Sequence, residues 1–319
     1  MNALHRPALA SLLVLLASLL CACRERTPAG GEPGSARSES SAAPSDPGPA
    51  SAYRGTPGAT TAPARIVSVG GPVTEIVYAL GAGPDVVAVD TSSLYPDEAN
   101  KLPKVGYQRT IATEGVLAQR PTLVLLSSEA GPPAAITQIQ AAGIPTHVIP
   151  AEAQLDGIAD RIDAVAKALG KQAEGDTLKR TVTAELDAVK RELGALPTHP
   201  RVLMIYTRGA GTQLVAGVDT PPDTLIRLAG GENAAATLSG YKPMTAEAVV
   251  AAAPEVILVP SRGLDALGGI DGILALPGVA QTPAGKARRV VPLDDLLLLG
   301  LGPRTPAAAR DLARQLRAP

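Results

Sequence analysis

One unit occurs twice in this sequence, and it limits the fold more than any bulk property does. In the first copy, Val105-Gly106-Tyr107-Gln108-Arg109 reads as a loop and Thr113 as the N-cap of a helix over Glu114 to Gln119. Pro121 ends that helix, and Leu123 to Leu126 reads as a buried strand. In the second copy, Tyr241 to Glu247 leads into a helix over Ala248 to Ala253, then Pro254 and the apolar run Val256 to Val259. Glu114 precedes Pro121 by seven residues, and Glu247 precedes Pro254 by seven. Such self-similarity points to a duplicated architecture, two related lobes that each present one Tyr and one Glu.

The chain has room for this. Its 319 residues accommodate two ordinary domains, and 45% hydrophobic with 18% charged residues describes a globular body. A net charge of -1 without a long basic run leaves no general attraction to nucleic acid. There is no Trp and no Phe, so the cores are built from Leu, Val, Ile and Ala, and each loop Tyr among the six becomes a residue to account for. Both cysteines, Cys21 and Cys23, precede the body, which then has no internal disulfide and no Cys-based metal centre.

Residues 1–23 read as an export signal, with His5 and Arg6 before an apolar run from Leu9 to Leu20 that is too short to span a membrane. Leu20-Cys21-Ala22-Cys23 resembles a bacterial lipobox, in which Cys23 would carry the lipid; ordinary cleavage is the alternative. Residues 24–64 form a linker of Ala, Pro, Ser and Gly that cannot bury a core and would reach roughly 35 Å as a flexible coil. From residue 65 to 170, short apolar strands (Ile66 to Val69, Val86 to Val89, Leu123 to Leu126, His147 to Ile149) alternate with helices, one of them capped by Thr74. That is the pattern of βα units on a largely parallel sheet, whose ligands bind beyond the carboxyl ends of the strands. The loops at Gly70-Gly71, Asp90 to Pro96 and Ser127 to Pro133 occupy such positions. Leu155, Ile158, Ile162, Val165 and Leu169 mark a helix, and Leu178, Val182, Leu186, Val189 and Leu193 mark another over 171–196 that links the lobes. The second lobe, 197–319, opens on the strand Arg201 to Tyr206 and includes a Gly-rich loop from Arg262 to Gly272. The expected fold is therefore α/β, two Rossmann-like lobes joined by a long interdomain helix with a ligand cleft between them.

Several phrases of this body resemble those of the helical-backbone solute-binding proteins of bacterial ABC importers, the class that carries vitamin B12, ferric siderophores and haem. They are Val89-Asp90-Thr91-Ser92, Leu102 to Arg109, Ala112 to Leu117, Glu129-Ala130-Gly131-Pro132-Pro133, Leu228 to Ala234, Gly268 to Gly272 and Leu299 to Arg304. Within that class the sequence is most similar to the haem (hemin) binding proteins. The resemblance implies that Tyr107 is the haem iron ligand. Read alone, Tyr107 fits equally a structural loop tyrosine. A phenolate is a hard oxygen donor suited to ferric iron, and since a phenol ordinarily titrates near 10, a neighbouring cation such as Arg109 would help it lose its proton. Tyr241 is a haem-pocket candidate that would close over the other haem face or else pack at the base of its loop; Arg208 and, more weakly, Arg262 are candidates for the propionates, with a simply exposed Arg208 as the alternative. Glu114 and Glu247 would dock the two lobes onto the permease dimer, although a Glu at a helix start is also favoured by the macrodipole. Where some haem relatives have a His at the first loop of the second lobe, this chain has Tyr206-Thr207-Arg208. His147 and His199 read as structural or solvated.

Enzymatic alternatives find little support. The patterns Gly-x-Ser-x-Gly, His-Glu-x-x-His, the phosphate-binding Gly-x-x-x-x-Gly-Lys loop and the dinucleotide Gly-x-Gly-x-x-Gly do not occur, and three His in the whole chain leave little for a general base. The expectation is a monomeric, lipid-anchored, extracytoplasmic receptor, not an enzyme, that delivers haem to an ABC permease with its ATPase. A ferric-siderophore or cobalamin carrier of the same class is the alternative.

Overall fold

The computed structural model describes residues 64–207 and 213–318, which lie within one compact unit, Ala59–Pro319. The signal, Cys23, nearly all of the linker, and Arg208 lie outside the described residues.

The first half builds β1 (Ile66–Val69), α1 (Gly71–Ala79), β2 (Val86–Val89), α2 (Asp97–Asn100), the two-residue strands β3 (Gly106–Tyr107) and β4 (Thr110–Ile111), and α3 (Thr113–Ala118). It continues with β5 (Leu123–Ser127), α4 (Pro133–Ala141) and β6 (Thr146–Ile149). Four strands form one sheet in the order β2-β1-β5-β6, all parallel, with Ile66 opposite Leu123 and Val124 opposite Thr146. Because the chain enters every strand from the same end, the loops after β1, β2 and β5 gather along one edge.

Two helices follow, α5 (Asp156–Leu169) and α6 (Gln172–Gly194). Ile158, Ile162 and Val165 on α5, and Val182, Leu186, Val189 and Leu193 on α6, are buried at three- and four-residue steps, the apolar stripe the sequence displays. The helices approach closely at Gly175, where an added Cβ would lie 2.4 Å from the Cβ of Ala166.

The second half comprises β7 (Arg201–Thr207), β8 (Gln213–Ala216), α7 (Pro221–Leu228), β9 (Glu232–Asn233), β10 (Tyr241–Lys242), α8 (Ala246–Ala252) and β11 (Val256–Pro260). Then come α9 (Ser261–Ala266), α10 (Ile270–Leu274), α11 (Pro283–Lys286), β12 (Val290–Leu293), α12 (Asp295–Leu299) and α13 (Thr305–Gln315). Its sheet is mixed. Strands β9, β11 and β12 run parallel within the β7 array, whereas β8 and β10 are added antiparallel in the order β10-β8-β7-β11-β12.

Three local expectations are corrected. Thr74 is no cap: α1 starts at Gly71 with Pro72 in its first turn, and Thr74 is buried inside it, its hydroxyl bonded to Ser68 and Ser93 at 2.8 Å each. Thr113 is the first residue of α3, with Ala112 as an N-cap that makes no side-chain bond. Arg262 to Gly272 is not one loop but α9 and α10 with Gly268 and Gly269 between them.

The two sheets share a core. One apolar cluster runs from Ile66, Ile76 and Leu125 through Ile158, Ile162, Val182 and Val189 to Met204, Leu225 and Leu312. Polar contacts fasten the same junction. Arg161, 3% exposed, donates to the carbonyls of Pro150 (2.8 Å), Glu152 (3.3 Å) and Leu301. Arg304 pairs through its guanidinium with buried Glu75 at 2.9 Å, and its backbone N–H reaches the other carboxylate oxygen at 3.1 Å. Its guanidinium carbon also sits 3.6 Å from the ring centroid of Tyr95. Removing one member of a buried pair strands the other charge, so Arg304→Ala is expected to destabilise the protein by about 3 kcal/mol in urea denaturation. A loss below about 1 kcal/mol would mean that Glu75 finds water or another partner.

Candidate functional site

The site begins with the Gly106–Tyr107 hairpin. Gly106 pairs with Ile111 and Tyr107 with Thr110 across the Gln108-Arg109 turn. Gly106 takes φ +104, and a Cβ there would meet the Thr110 carbonyl oxygen at 2.9 Å, so the tight turn before Tyr107 requires glycine. Val105 and Ile111 anchor the hairpin in the core. Backbone bonds hold it from two sides. On one, Val105 donates to Val89 and Thr91 donates to Gly106, at 3.0 and 2.9 Å; on the other, Gly131 donates to Gln108 and Ile111 to Gly131, both at 2.8 Å.

Beneath the first side lies a buried carboxylate. Asp90 accepts from the Gly70 N–H (2.9 Å), the Ser93 hydroxyl (2.7 Å), and the Ser92 N–H and hydroxyl (2.8 and 2.5 Å). These bonds tie the loop after β2 to the loop after β1, so both strand ends facing the hairpin are rigidly joined.

Tyr107 is half-buried, and Arg109 lies beside it. The Arg109 guanidinium pairs with Glu129 at 2.9 Å and hydrogen-bonds the Tyr107 phenol. Burial opposes the Arg109 charge, but the Glu129 carboxylate and the bonds to Glu129 and Tyr107 outweigh it and raise the Arg109 pKa.

The second half contributes an aromatic pair. Tyr206 on β7 and Tyr241 on β10 lie with ring centroids 5.9 Å apart, tilted by 59°, both packed on the shared core. Tyr241 reaches this position because β10 pairs antiparallel with β8, placing it opposite Ala216. Burial first, then the charges of Glu129 and Tyr206, push the Tyr241 phenol well above the usual tyrosine range; Arg109 opposes this and Tyr107 adds to it. Tyr241, in the second half, therefore lies within electrostatic reach of Glu129, Arg109 and Tyr107.

Arg262 opens α9 directly after β11, exposed, with its backbone N–H on Asp295 at 3.1 Å. It comes within range of Lys104, whose pKa is lowered by burial and by Arg262 against the pull of Asp90. Two cations from opposite lobes thus adjoin the same region. Glu114 and Glu247 sit exposed in the first turns of α3 and α8, and among the described residues neither makes an ion pair. The Glu247 carboxyl is held below its usual value by backbone N–H bonding and by Thr245. Of the two His among the described residues, His199 bonds the Gly230 carbonyl at 3.1 Å and His147 is exposed on β6.

The structure thus brings Tyr107, Arg109 and Tyr241 together. Glu129 and Lys104 are additions that sequence reasoning passed over. The available signal for Glu129 was its place in the loop after β5, at the carboxyl edge of a parallel sheet. Among the described residues no cluster of His, Cys, Asp and Glu could hold a free metal ion, and no helix is long and apolar enough to cross a membrane. Above the ordinary phenol value of 10.0, the Tyr241 phenol stays protonated in the folded protein while it ionises in the unfolded chain. Stability should therefore fall as pH rises from about 10 towards the raised folded value, and Tyr241→Phe should remove that share of the slope in denaturation measured at successive alkaline pH values.

Comparison with known proteins agrees with the geometry. Residues 66–296 match the periplasmic binding protein family. The apo structure of the periplasmic heme-binding protein RhuT from Roseiflexus sp. RS-1 is 45% identical, with a TM-score of 0.78 over 80% of this chain and 98% of that one. The periplasmic heme-binding protein BhuT, in complex with two hemes, is 43% identical with a TM-score of 0.74 over 79% of this chain and 97% of that one. Among curated proteins, an ABC transporter substrate-binding lipoprotein of Bacillus subtilis, YvrC, is 29% identical over 80% of each chain. A vitamin B12-binding protein of Vibrio parahaemolyticus is 28% identical over 63% of this chain and 72% of its own.

Proposed function

The chain belongs to the periplasmic binding protein family, and on that premise we propose that it is an extracytoplasmic haem receptor. It captures hemin between the Tyr107 hairpin and the Tyr206–Tyr241 face and delivers it to an inner-membrane ABC importer. The observation that carries this reading is a half-buried tyrosine whose phenol accepts from a guanidinium, opposite an aromatic pair on the other lobe.

In this reading Tyr107 is the iron ligand. A phenolate is a hard oxygen donor that suits ferric iron, and Arg109 supplies a hydrogen-bond donor beside the oxygen. Tyr241, kept neutral by burial, covers the other side of the porphyrin together with Tyr206. Arg262 and Arg208 are the propionate partners, and Lys104 joins Arg262 there. The body comprises an N-terminal lobe (65–170), a linking helix (171–196) and a C-terminal lobe (197–319). It acts as a monomer, without catalysis, tethered through Cys23 at the end of the signal (1–23) by the linker (24–64). The 45% identity to RhuT over nearly all of that protein supports haem as the cargo.

Cobalamin is the second reading, raised by the vitamin B12-binding relatives. Its cobalt arrives already coordinated, which leaves the Tyr107 and Arg109 pair without a metal to serve.

A spectroscopic hemin titration distinguishes the two. The wild-type chain should saturate with a phenolate-to-iron charge-transfer band that Tyr107→Phe abolishes, and cyanocobalamin should not displace the hemin. Saturation without such a band, or displacement by cyanocobalamin, would remove Tyr107 or haem from the reading. Glu114 and Glu247 are the docking contacts to the permease, one per lobe. Glu114→Ala and Glu247→Ala should leave the hemin titration unchanged while weakening binding to the permease by about tenfold or more each.

A further inference from the structure

The Arg109 guanidinium is engaged on two sides, by the Tyr107 phenol and by Glu129 Oε2 at 2.9 Å. Glu129 is itself placed by the loop that grips the hairpin. Its N–H donates to the Ser127 hydroxyl at 3.3 Å, its carboxylate accepts from Gln108 Nε2 at 3.4 Å, and Gly131 two residues on closes the backbone bonds to Gln108 and Ile111. Arg161 is a second cation within range of Glu129, but it is buried and its N–H groups go to the carbonyls of Pro150, Glu152 and Leu301. Arg109 is the cation that Glu129 pairs with directly.

We propose that Glu129 is a positioning residue for the haem ligand: it aims the Arg109 guanidinium at the Tyr107 oxygen and cancels its charge. This deepens the haem reading and rests on it. Seen from Tyr107, a guanidinium backed by a carboxylate is a hydrogen-bond donor with a dipole field, whereas a bare guanidinium is a full positive charge. The difference grows when hemin covers the cleft, because the porphyrin displaces water that screens the pair. With Glu129 present the loaded site is balanced, the ferric porphyrin cation against the phenolate and the guanidinium against the carboxylate. Without it, one positive charge remains beside the ferric centre under an apolar slab, drawing electron density from the phenolate and weakening its bond to iron.

The test uses the full chain loaded with hemin and four variants: Glu129→Gln, Glu129→Asp, Arg109→Ala and the double variant Glu129→Gln/Arg109→Ala. Glu129→Gln keeps the shape and removes the charge. It should move the phenolate-to-iron band to higher energy and speed hemin release by about tenfold, an effect of the size seen for outer-layer partners of metal ligands. Glu129→Asp should restore most of both. In the Arg109→Ala background Glu129→Gln should change neither, since its effect passes through Arg109. Thermal stability should stay at the wild-type value throughout the Glu129 variants, because the side chain is 44% exposed. A wild-type band and release rate in Glu129→Gln, or an effect that survives in the Arg109→Ala background, would overturn the assignment. Tyr107→Phe measured alongside separates the two levels. If it keeps the band, the ligand lies elsewhere and the roles of Tyr107 and of Glu129 both fall while hemin binding stands; if it loses the band while Glu129→Gln is silent, only the role of Glu129 falls.

Discussion

Everything at the site depends on one apolar core being common to both sheets. Ile158, Ile162 and Val165 on α5, and Val182, Val189 and Leu193 on α6, are packed into the same cluster as Ile66 of the first sheet and Met204 of the second. Close packing of this kind resists small displacements, since side chains in a dense interior have few alternative arrangements. The Glu75–Arg304 pair and the carbonyl bonds of Arg161 add polar contacts at the same junction. Tyr241 packs directly on that common core, and the Tyr107 hairpin is anchored in the first sheet's own apolar cluster through Val105 and Ile111.

On that scaffold the electrostatics are uneven by construction. One tyrosine has a guanidinium donor and is only half-buried; the other is packed on the core beside a second ring and near a carboxylate. Low local dielectric and a nearby negative charge both favour the neutral phenol of Tyr241, while Tyr107 shares a hydrogen bond with Arg109. Two residues of one type are thereby given different chemistry by their surroundings. The cations Lys104 and Arg262 provide a separate positive region drawn from both lobes.

Much of this was legible in the sequence, and the exceptions share a cause. Strands such as Ile66–Val69 and Val256–Pro260 and the stripes on α5 and α6 are local patterns, and the structure forms them within a residue or two of where the pattern places them. Thr74 misled because a threonine before an apolar run is an N-cap only when its hydroxyl is spent on its own helix; here tertiary neighbours Ser68 and Ser93 take it. The helices α9 and α10 were hidden by glycine, which lowers helix propensity but yields where packing buries Ile273 and Gly263. Strand β10 is too short for a period to emerge, and its place beside β8 is decided by a partner well back along the chain.

By itself the sequence determined the class of fold, the duplicated Tyr and Glu units, and Tyr107 with Arg109 as the residues to watch, because each is written in neighbouring residues. Tertiary structure alone decided that Tyr241 comes within electrostatic range of Tyr107, that Glu129 holds Arg109, and that Lys104 comes within range of Arg262. Those pairings join residues that are 20 to more than 150 positions apart, and nothing in a local pattern specifies them. They follow from the register of parallel strands and from a core that brings two sheets to one set of helices. The physical reason is range: side-chain periodicity is set by adjacent backbone, whereas a site is assembled by packing.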